Sequence, residues 1–597
     1  MRTVFEMAHA AAAPPRAPLL GSLVVALSLS LASAADASVV ISPLRGTPDA
    51  SPATQISFLG IPAGEISGVS VTGSSSGRHS GRLAGYATAA GASFLPARPF
   101  AQGERVTASA TVGPRGHTER VSSTFYVARP SGYRPPAPGR PGAARPGTVQ
   151  SYVSAPSLHP PVVAITTSAP GQSPGDIFLT PTHGLGQSGP MIVDSAGRLL
   201  WYQPVPTGEV ATNLQVQSYR GAPALVWWQG SIPATLGVGF GQDEIYSTAY
   251  KPIATVSGGN GYQADLHDFQ LTPQGSAFIT AYTLIDADLS SVGGSRSGIL
   301  QDGLLQEIDI PTGLVMFEWH AYGHVELDDS YSTPPRGAGL PWDFFHINSI
   351  SLDTSNDEDF IVSSRNTWAA YEIDHRSGAI MWRLGGRHSS FKMGAGTGTA
   401  WQHDVRWQAD HTLTIFDNGA VPKQHSQSRA IREHIDWAHR KVNLVGRYVR
   451  TPALLAGSQG NVQVLADGSS FVGWGEAPNF TEFGSAGQVL FDGRIPLPGQ
   501  SYRAFRYPWS AAPAAPPALV VKANAGTVSA YMSWNGATGV AAWRLLAGAG
   551  PTTLSPLATS VAAGFETVIT ASSGAPYFAV QALDASGGVL GTSAVTR

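Results

Sequence analysis

A glycine followed four residues later by an aromatic side chain recurs in the middle of this chain, at Gly197…Trp201, Gly313…Phe317, Gly378…Trp382 and Gly487…Phe491. Asp309 and Asp374 stand four residues before their glycines, giving the form Asp-x-x-[Ser/Thr]-Gly-x-x-x-aromatic. A turn of this composition starts a strand, and the aromatic that follows can pack between neighbouring sheets. Two of the intervals are about double the third, which leaves room for degenerate turns near Lys251-Pro252 and Arg440-Lys441. The series then comprises six units of roughly fifty to sixty residues, within the range of known propeller repeats. With 68 glycines, 45 prolines and only 13% charged residues, the composition suits many short strands joined by turns. The fold class expected is all-β, with a six-bladed β-propeller over residues 161–510.

Two further pieces flank that region. From residue 39 to 128 strand patterns alternate with turns; Val106, Ala108, Ala110 and Val112 have the period of two expected of a half-buried strand. This predicts a small N-terminal β-sandwich. Residues 129–160 carry Pro135, Pro136, Pro138, Pro141 and Pro146 and read as a semi-extended linker. In residues 516–597 the alternation of Val528, Ala530 and Met532 ahead of Trp534 predicts a C-terminal fibronectin- or immunoglobulin-like sandwich.

Residues 1–34 read as an export signal. Arg2 and Arg16 precede an apolar run from Leu19 to Leu31, and Ala32-Ser33-Ala34 supplies small residues for cleavage. Met7 is an alternative start. The run is shorter than the roughly 20 residues a spanning helix needs, so the expectation is a secreted or periplasmic protein beginning near Ala35. The chain has no cysteine, which excludes disulfides, thiolate metal sites and cysteine nucleophiles. A net charge of −3 without a basic stripe argues against nucleic acid as a partner.

The polar residues of the middle region have their own spacing. A conspicuous polar group precedes each of four turn-and-strand units: His267-Asp268, His346-Ile347-Asn348-Ser349, Gln402-His403-Asp404 and Gln459-Gly460-Asn461. Arg365 and Asn418 each lie eight residues past an aspartate, Asp357 and Asp410. Equivalent positions in successive propeller units point at one axis, so His267, His346, Arg365 and His403 are expected to converge on a central funnel. Each residue alone also reads structurally. A single histidine is more often a satisfied hydrogen-bonding group; Arg365 also reads as a brace to Asp357 or Asp359, and Asn348 and Asn418 as turn residues.

The same residues carry a family likeness. The ordered set Trp342-Asp343-Phe344-Phe345-His346-Ile347-Asn348-Ser349, Ser363-Ser364-Arg365, Trp382-Arg383-Leu384-Gly385-Gly386, Gln402-His403-Asp404 and Phe416-Asp417-Asn418-Gly419 resembles the bacterial arylsulfotransferases. The resemblance implies a six-bladed propeller and nucleotide-independent transfer of a sulfuryl group from a phenolic sulfate ester to a phenol, by a ping-pong route through a sulfohistidine. By position, His403 matches the sulfurylated histidine, His346 and Arg365 match groups that bind and polarise the sulfate, and His267 matches an upstream active-site histidine. Asn348 and Asn418 fall in matching motifs and are assigned to substrate binding. No cofactor is implied. Members of the family often carry a disulfide, which this chain cannot form.

Transfer of a sulfuryl group should resemble phosphoryl transfer, with charge on spectator oxygens and catalysis by positioning and electrostatics. Arg365 offers a permanently charged planar fork. His403 is nucleophilic when neutral, and a second histidine, His346 or His267, can protonate the leaving phenolate and deprotonate the incoming phenol. That chemistry requires no metal. The principal alternative is a non-catalytic secreted propeller acting as a binding or adhesion module, which would not need the four converging groups. A quinone-dependent dehydrogenase shares the Gly-x-x-x-Trp turn but would want a carboxylate calcium site.

Overall fold

The computed structural model describes residues 39–597 apart from 137–146, 185, 234, 338 and 353–358. The expected export signal, Asp357 and the centre of the proline-rich stretch therefore lie outside the described residues. The chain is all-β, as its composition implied. Among the described residues the helical elements are three single turns, Ala63–Glu65, Ser290–Val292 and Leu327–Asp329, and no helix is long and apolar enough to cross a membrane.

The repeated glycines sit where the backbone needs them. Gly197, Gly313, Gly378 and Gly487 have φ of 79°, 68°, 70° and 82°, a left-handed conformation that costs glycine little. They lead into the strands Leu199–Tyr202, Leu314–His320, Ile380–Gly385 and Val489–Arg494. At the two degenerate turns Tyr250 and Arg440 take the same conformation, with φ of 57° and 47°, ahead of Pro252–Val256 and Lys441–Tyr448.

Between these turns the strands pair antiparallel in sequence order. Val210–Tyr219, Ala222–Ser231, Phe240–Ser247 and Pro252–Val256 form one group, which Gly241 and Ala264 join to Ala264–Leu271, Ser276–Ala287, Gly298–Asp309 and Leu314–His320. Separate sheets follow from Ile347–Leu352 to Ile380–Gly385, and from His403–Trp407 to Lys441–Tyr448. In the last two groups early and late chain meet: Ala164–Ser168 pairs with Val489–Arg494, and Asp176–Thr182 with Gln500–Tyr507, Phe178 standing opposite Phe505.

The first strands of successive groups pack beside one another, from Val210–Tyr219 through Ala264–Leu271, Ile347–Leu352 and His403–Trp407 to Asn461–Val464. Gln500–Tyr507 contacts both the last and the first of these. Register shifts interrupt four of them, between Thr212 and Gln215, Ala264 and Phe269, Ile347 and Ser349, and His403 and Arg406. Such bulges bend a strand and re-aim its side chains.

Buried polar groups meet at these bulges. Arg503 donates to Asn213 Oδ1 and Asp268 Oδ1 at 3.0 Å and to the Asn348 carbonyl at 3.0 Å. Its Nε lies 3.3 Å from Asp404. Arg406 pairs with Asp268 at 2.7 Å and Asp404 at 2.8 Å, and Asp404 accepts the Val462 amide at 3.0 Å. Burial alone would raise the Asp268 carboxyl, but Arg406 and Arg503 override it and hold the group at about 2. One ionic network thus ties together the first strands of all these groups.

Two pairs of sheets flank this region. The N-terminal pair shares a core of Phe58, Phe94, Val106 and Phe125, and the alternating Val106, Ala108, Ala110 and Val112 all point into it. It docks through Ser57 Oγ on the Val315 carbonyl at 2.6 Å and through Asp309, which accepts the Ala87 and Thr88 amides at 2.9 and 3.1 Å. The C-terminal pair encloses Val528, Ala530, Met532, Trp543 and Val580. Asn535 anchors it by donating to the Tyr202 carbonyl at 2.9 Å and accepting the Tyr202 amide at 3.0 Å.

Candidate active site

His267, His346, Arg365 and His403 all line one cavity of about 810 Å³. Their strands explain the convergence. His267 lies on Ala264–Leu271, His346 immediately precedes Ile347–Leu352, and His403 opens His403–Trp407. Arg365 follows Phe360–Ser364, and its amide donates to the His346 carbonyl at 3.0 Å. His346 has φ of 58°, a left-handed backbone uncommon for a bulky residue.

The tautomer of His403 follows from its partners. Asn418 Nδ2 donates to the carbonyls of Ala456 and Gln459 at 3.2 and 3.0 Å, which leaves its Oδ1 to face His403 Nδ1 at 2.8 Å. The Trp401 carbonyl, 3.2 Å from the same nitrogen, is also an acceptor. Nδ1 therefore carries the proton and Nε2 the lone pair, which receives the Gln459 amide at a long 3.2 Å. Burial, then Arg365 and His346, push the imidazole well below its usual 6.5, so the ring is neutral at pH 7.

His267 and His346 form a proton chain. His267 Nδ1 bonds Asp265, His346 Nδ1 lies 2.5 Å from Asp343 Oδ2, and the two Nε2 atoms are 3.1 Å apart. If both Nδ1 atoms donated to carboxylates and neither Nε2 carried hydrogen, two lone pairs would oppose each other. One more proton resolves this. Asp343 can hold it, with the His346 hydrogen moved to Nε2 to face His267. Burial raises Asp343 to about 7, and burial with His267 and Arg365 pushes His346 well below 6.5. Asp343, hydrogen-bonded to His346, can thus hold or release a proton near neutral pH.

Arg365 makes no ion pair among the described residues. Its guanidinium lies 4.9 Å from the centroid of the Trp401 ring and donates to Asn366 Oδ1 at 2.9 Å, and the residue lines the cavity with Asp343 and Glu476 as its nearest acting negative charges. Trp401 packs edge-on against Trp368, which stacks on Tyr331 at 3.7 Å between centroids. Tyr331, Trp342, Trp401 and Tyr502 give the cavity aromatic walls.

Asn348 and Asn418 do not line the cavity. Asn418 stands behind His403, and Asn348 donates to the Gln402 carbonyl at 2.8 Å, both fully buried. Their Nδ2 groups are spent on backbone carbonyls and neither residue reaches the cavity, so the substrate-contact assignment does not fit their placement; they set the position of the Gln402-His403 segment. Three groups were missed. Asp265 and Asp343 stand two and three residues before histidines already singled out, spacing that could have signalled them. Tyr502 carried no such signal: its hydroxyl is buried without a hydrogen-bond partner among the described residues, and the residue lines the cavity.

Structural comparison finds likeness to a protein of unknown function from Bacteroides caccae, at 10% identity over 54% of this chain and 93% of that one, with a TM-score of 0.33. A quinoprotein alcohol dehydrogenase-like protein from Bacteroides thetaiotaomicron is similar at 7% identity over 92% and 93% of the two chains, with a TM-score of 0.21. Likeness this slight carries no argument about chemistry. No curated protein matches the chain. Residues 215–495, the stretch that holds His267, His346, Arg365, His403 and Asn418, match the arylsulfotransferase (ASST) family model, and this part of the chain belongs to an arylsulfotransferase-like family.

Proposed function

We propose that the protein is a nucleotide-independent aryl sulfotransferase that moves a sulfuryl group from a phenolic sulfate ester to a phenol through a sulfohistidine at His403. The observation that carries this reading is a neutral, tautomer-fixed His403 sharing one cavity with an unpaired arginine and a proton-bearing histidine pair.

In the first half-reaction the Nε2 lone pair of His403 attacks sulfur and the sulfur–oxygen bond to the aryl group breaks. Arg365 meets the spectator oxygens, whose charge it can bind with two parallel hydrogen bonds. The phenolate leaves with the proton held by the His267–His346 chain. In the second half-reaction the acceptor phenol returns a proton to that chain, its oxygen bonds sulfur, and the nitrogen–sulfur bond breaks. The aromatic walls suit a phenyl ring on either substrate.

The same reading takes the six groups of strands as blades of one propeller, supported by the circuit of first strands and by the pairing of Asp176–Thr182 with Gln500–Tyr507. The flanking sheet pairs are then β-sandwich domains, 39–128 and 516–597. Residues 1–34 are an export signal that directs the mature chain out of the cytoplasm.

Steady-state kinetics with an aryl sulfate and a phenol should give parallel double-reciprocal lines, the pattern of a covalent intermediate. Arg365→Lys should retain reduced transfer, because charge survives while the fork is lost. Binding of aryl sulfate without turnover would instead make the protein a secreted binding module.

A further inference from the structure

Away from the cavity, where the N-terminal sheets meet the middle region, three metal-ligating side chains are buried together. One oxygen each of Asp49 and Asp302 and a ring nitrogen of His320 lie within 4.8 Å of one another. His320 Nδ1 is 3.2 Å from Asp49 Oδ2 and 3.0 Å from Asp302 Oδ2. All three residues are at most 1% exposed.

The partners of His320 fix which nitrogen is free. Glu318 Oε2 accepts hydrogen bonds from Asn260 and Gln306 at 2.8 and 2.5 Å, and its Oε1 lies 3.1 Å from His320 Nε2. Glu318 is therefore a carboxylate acceptor, and Nε2 carries the ring proton. In the neutral ring the Nδ1 lone pair then points at two carboxylate oxygens. The backbone amide of Tyr322 holds the other Asp302 oxygen at 2.8 Å.

A proton on Nδ1 relieves only part of this. It serves Asp302, with hydrogen-bond geometry, but neither oxygen of Asp49 has a hydrogen-bond donor among the described residues. The Tyr262 hydroxyl beside His320 is likewise buried and unpartnered, the two rings standing 6.3 Å apart. A buried carboxylate without donors is costly, whereas a divalent cation would neutralise both aspartates and use the lone pair. Both separations from His320 Nδ1 fit: ligand atoms about 2.1 Å from one ion stand roughly 3.0 to 3.4 Å apart in octahedral or tetrahedral arrangement.

We propose that Asp49, Asp302 and His320 bind a divalent transition-metal ion that clamps the N-terminal sheets to the middle region. The mixed nitrogen and carboxylate donors suit Zn²⁺ or Mn²⁺. Glu318 orients His320 from behind, as carboxylates do for metal-bound histidines. The clamp is structural and independent of the reading given to the cavity.

The test uses the full chain, stripped with chelator and reloaded with Zn²⁺ or Mn²⁺ alone. Elemental analysis should find one ion per chain, and reloading should raise Tm. Asp49→Asn should weaken binding tenfold or more. If that variant does not fold, Glu318→Gln carries the test, with an expected loss of about 10- to 100-fold in affinity. His267→Asn should keep the ion. Absence of stoichiometric metal with a Tm indifferent to chelator would overturn the proposal. So would unchanged affinity in Asp49→Asn or Glu318→Gln, or loss of the ion from His267→Asn instead.

Discussion

Asn418 Oδ1 lies 2.8 Å from His403 Nδ1, and the carbonyls of Ala456 and Gln459 hold the amide in that orientation. An amide whose nitrogen is committed to two acceptors can only receive a proton from the ring, so Nε2 is left as the nucleophilic atom. The buried arrangement also fixes the ring plane. Asn418 never touches the cavity, yet it governs which face of His403 reacts.

Asn418→Ala should lower kcat by about 10²-fold with a smaller change in KM, since the loss is of orientation and tautomer. Asn418→Asp separates this from a packing effect. Burial, then Arg365 and His346, keep His403 well below 6.5; a carboxylate at 418 favours the charged ring and raises its pKa. The neutral nucleophile is then lost at higher pH, so the acid limb of the pH–rate profile should move upward. An unmoved limb with intact fold would count against the assigned role.

Tyr502 presents a buried hydroxyl, without a partner among the described residues, beside His267 and His403 at ring separations of 5.6 and 6.5 Å. Burial pushes its pKa far above the usual 10, so it remains a donor. Tyr502→Phe removes no internal hydrogen bond and should leave Tm unchanged, while a donor to sulfate charge would be missing. The expected loss in kcat/KM is about tenfold to a hundredfold. Full activity in the variant would assign the hydroxyl no part in transfer.

Arg503 is fully buried and joins Asp268, Asp404, Asn213 and the Asn348 carbonyl. Arg503→Met leaves Asp404 and Asp268 short of one cation, and removing one partner of a buried ion pair costs about 3–5 kcal/mol. Denaturant unfolding should show a loss of that order. A variant as stable as the wild type would mean that Arg406 alone neutralises both aspartates.

The residues were legible in the sequence to different degrees. His267, His346 and His403 could be found because each precedes, opens or lies on the first strand of a group, at a comparable distance before a turn. The turns at Tyr250 and Arg440 were legible only by interval, because residues other than glycine hold the left-handed backbone there. Asn348 and Asn418 were misplaced by one layer, because spacing reports which strand end a residue occupies and not whether its side chain is spent on the backbone. Tyr502 arrives from the far end of the chain, on a strand whose pairing with Asp176–Thr182 no local pattern specifies. The Asp49, Asp302 and His320 cluster was invisible for the same reason, being assembled across 271 positions of sequence by the docking of the N-terminal sheets.

In the proposed reaction His403 carries the sulfuryl group between half-reactions. The direct measurement is incubation of wild type with an aryl sulfate in the absence of any phenol acceptor, followed by peptide mass spectrometry at alkaline pH. The expected result is one added sulfuryl group on the peptide holding His403, discharged on adding phenol and absent from His403→Asn. A label on another residue, or full transfer by His403→Asn, would contradict it.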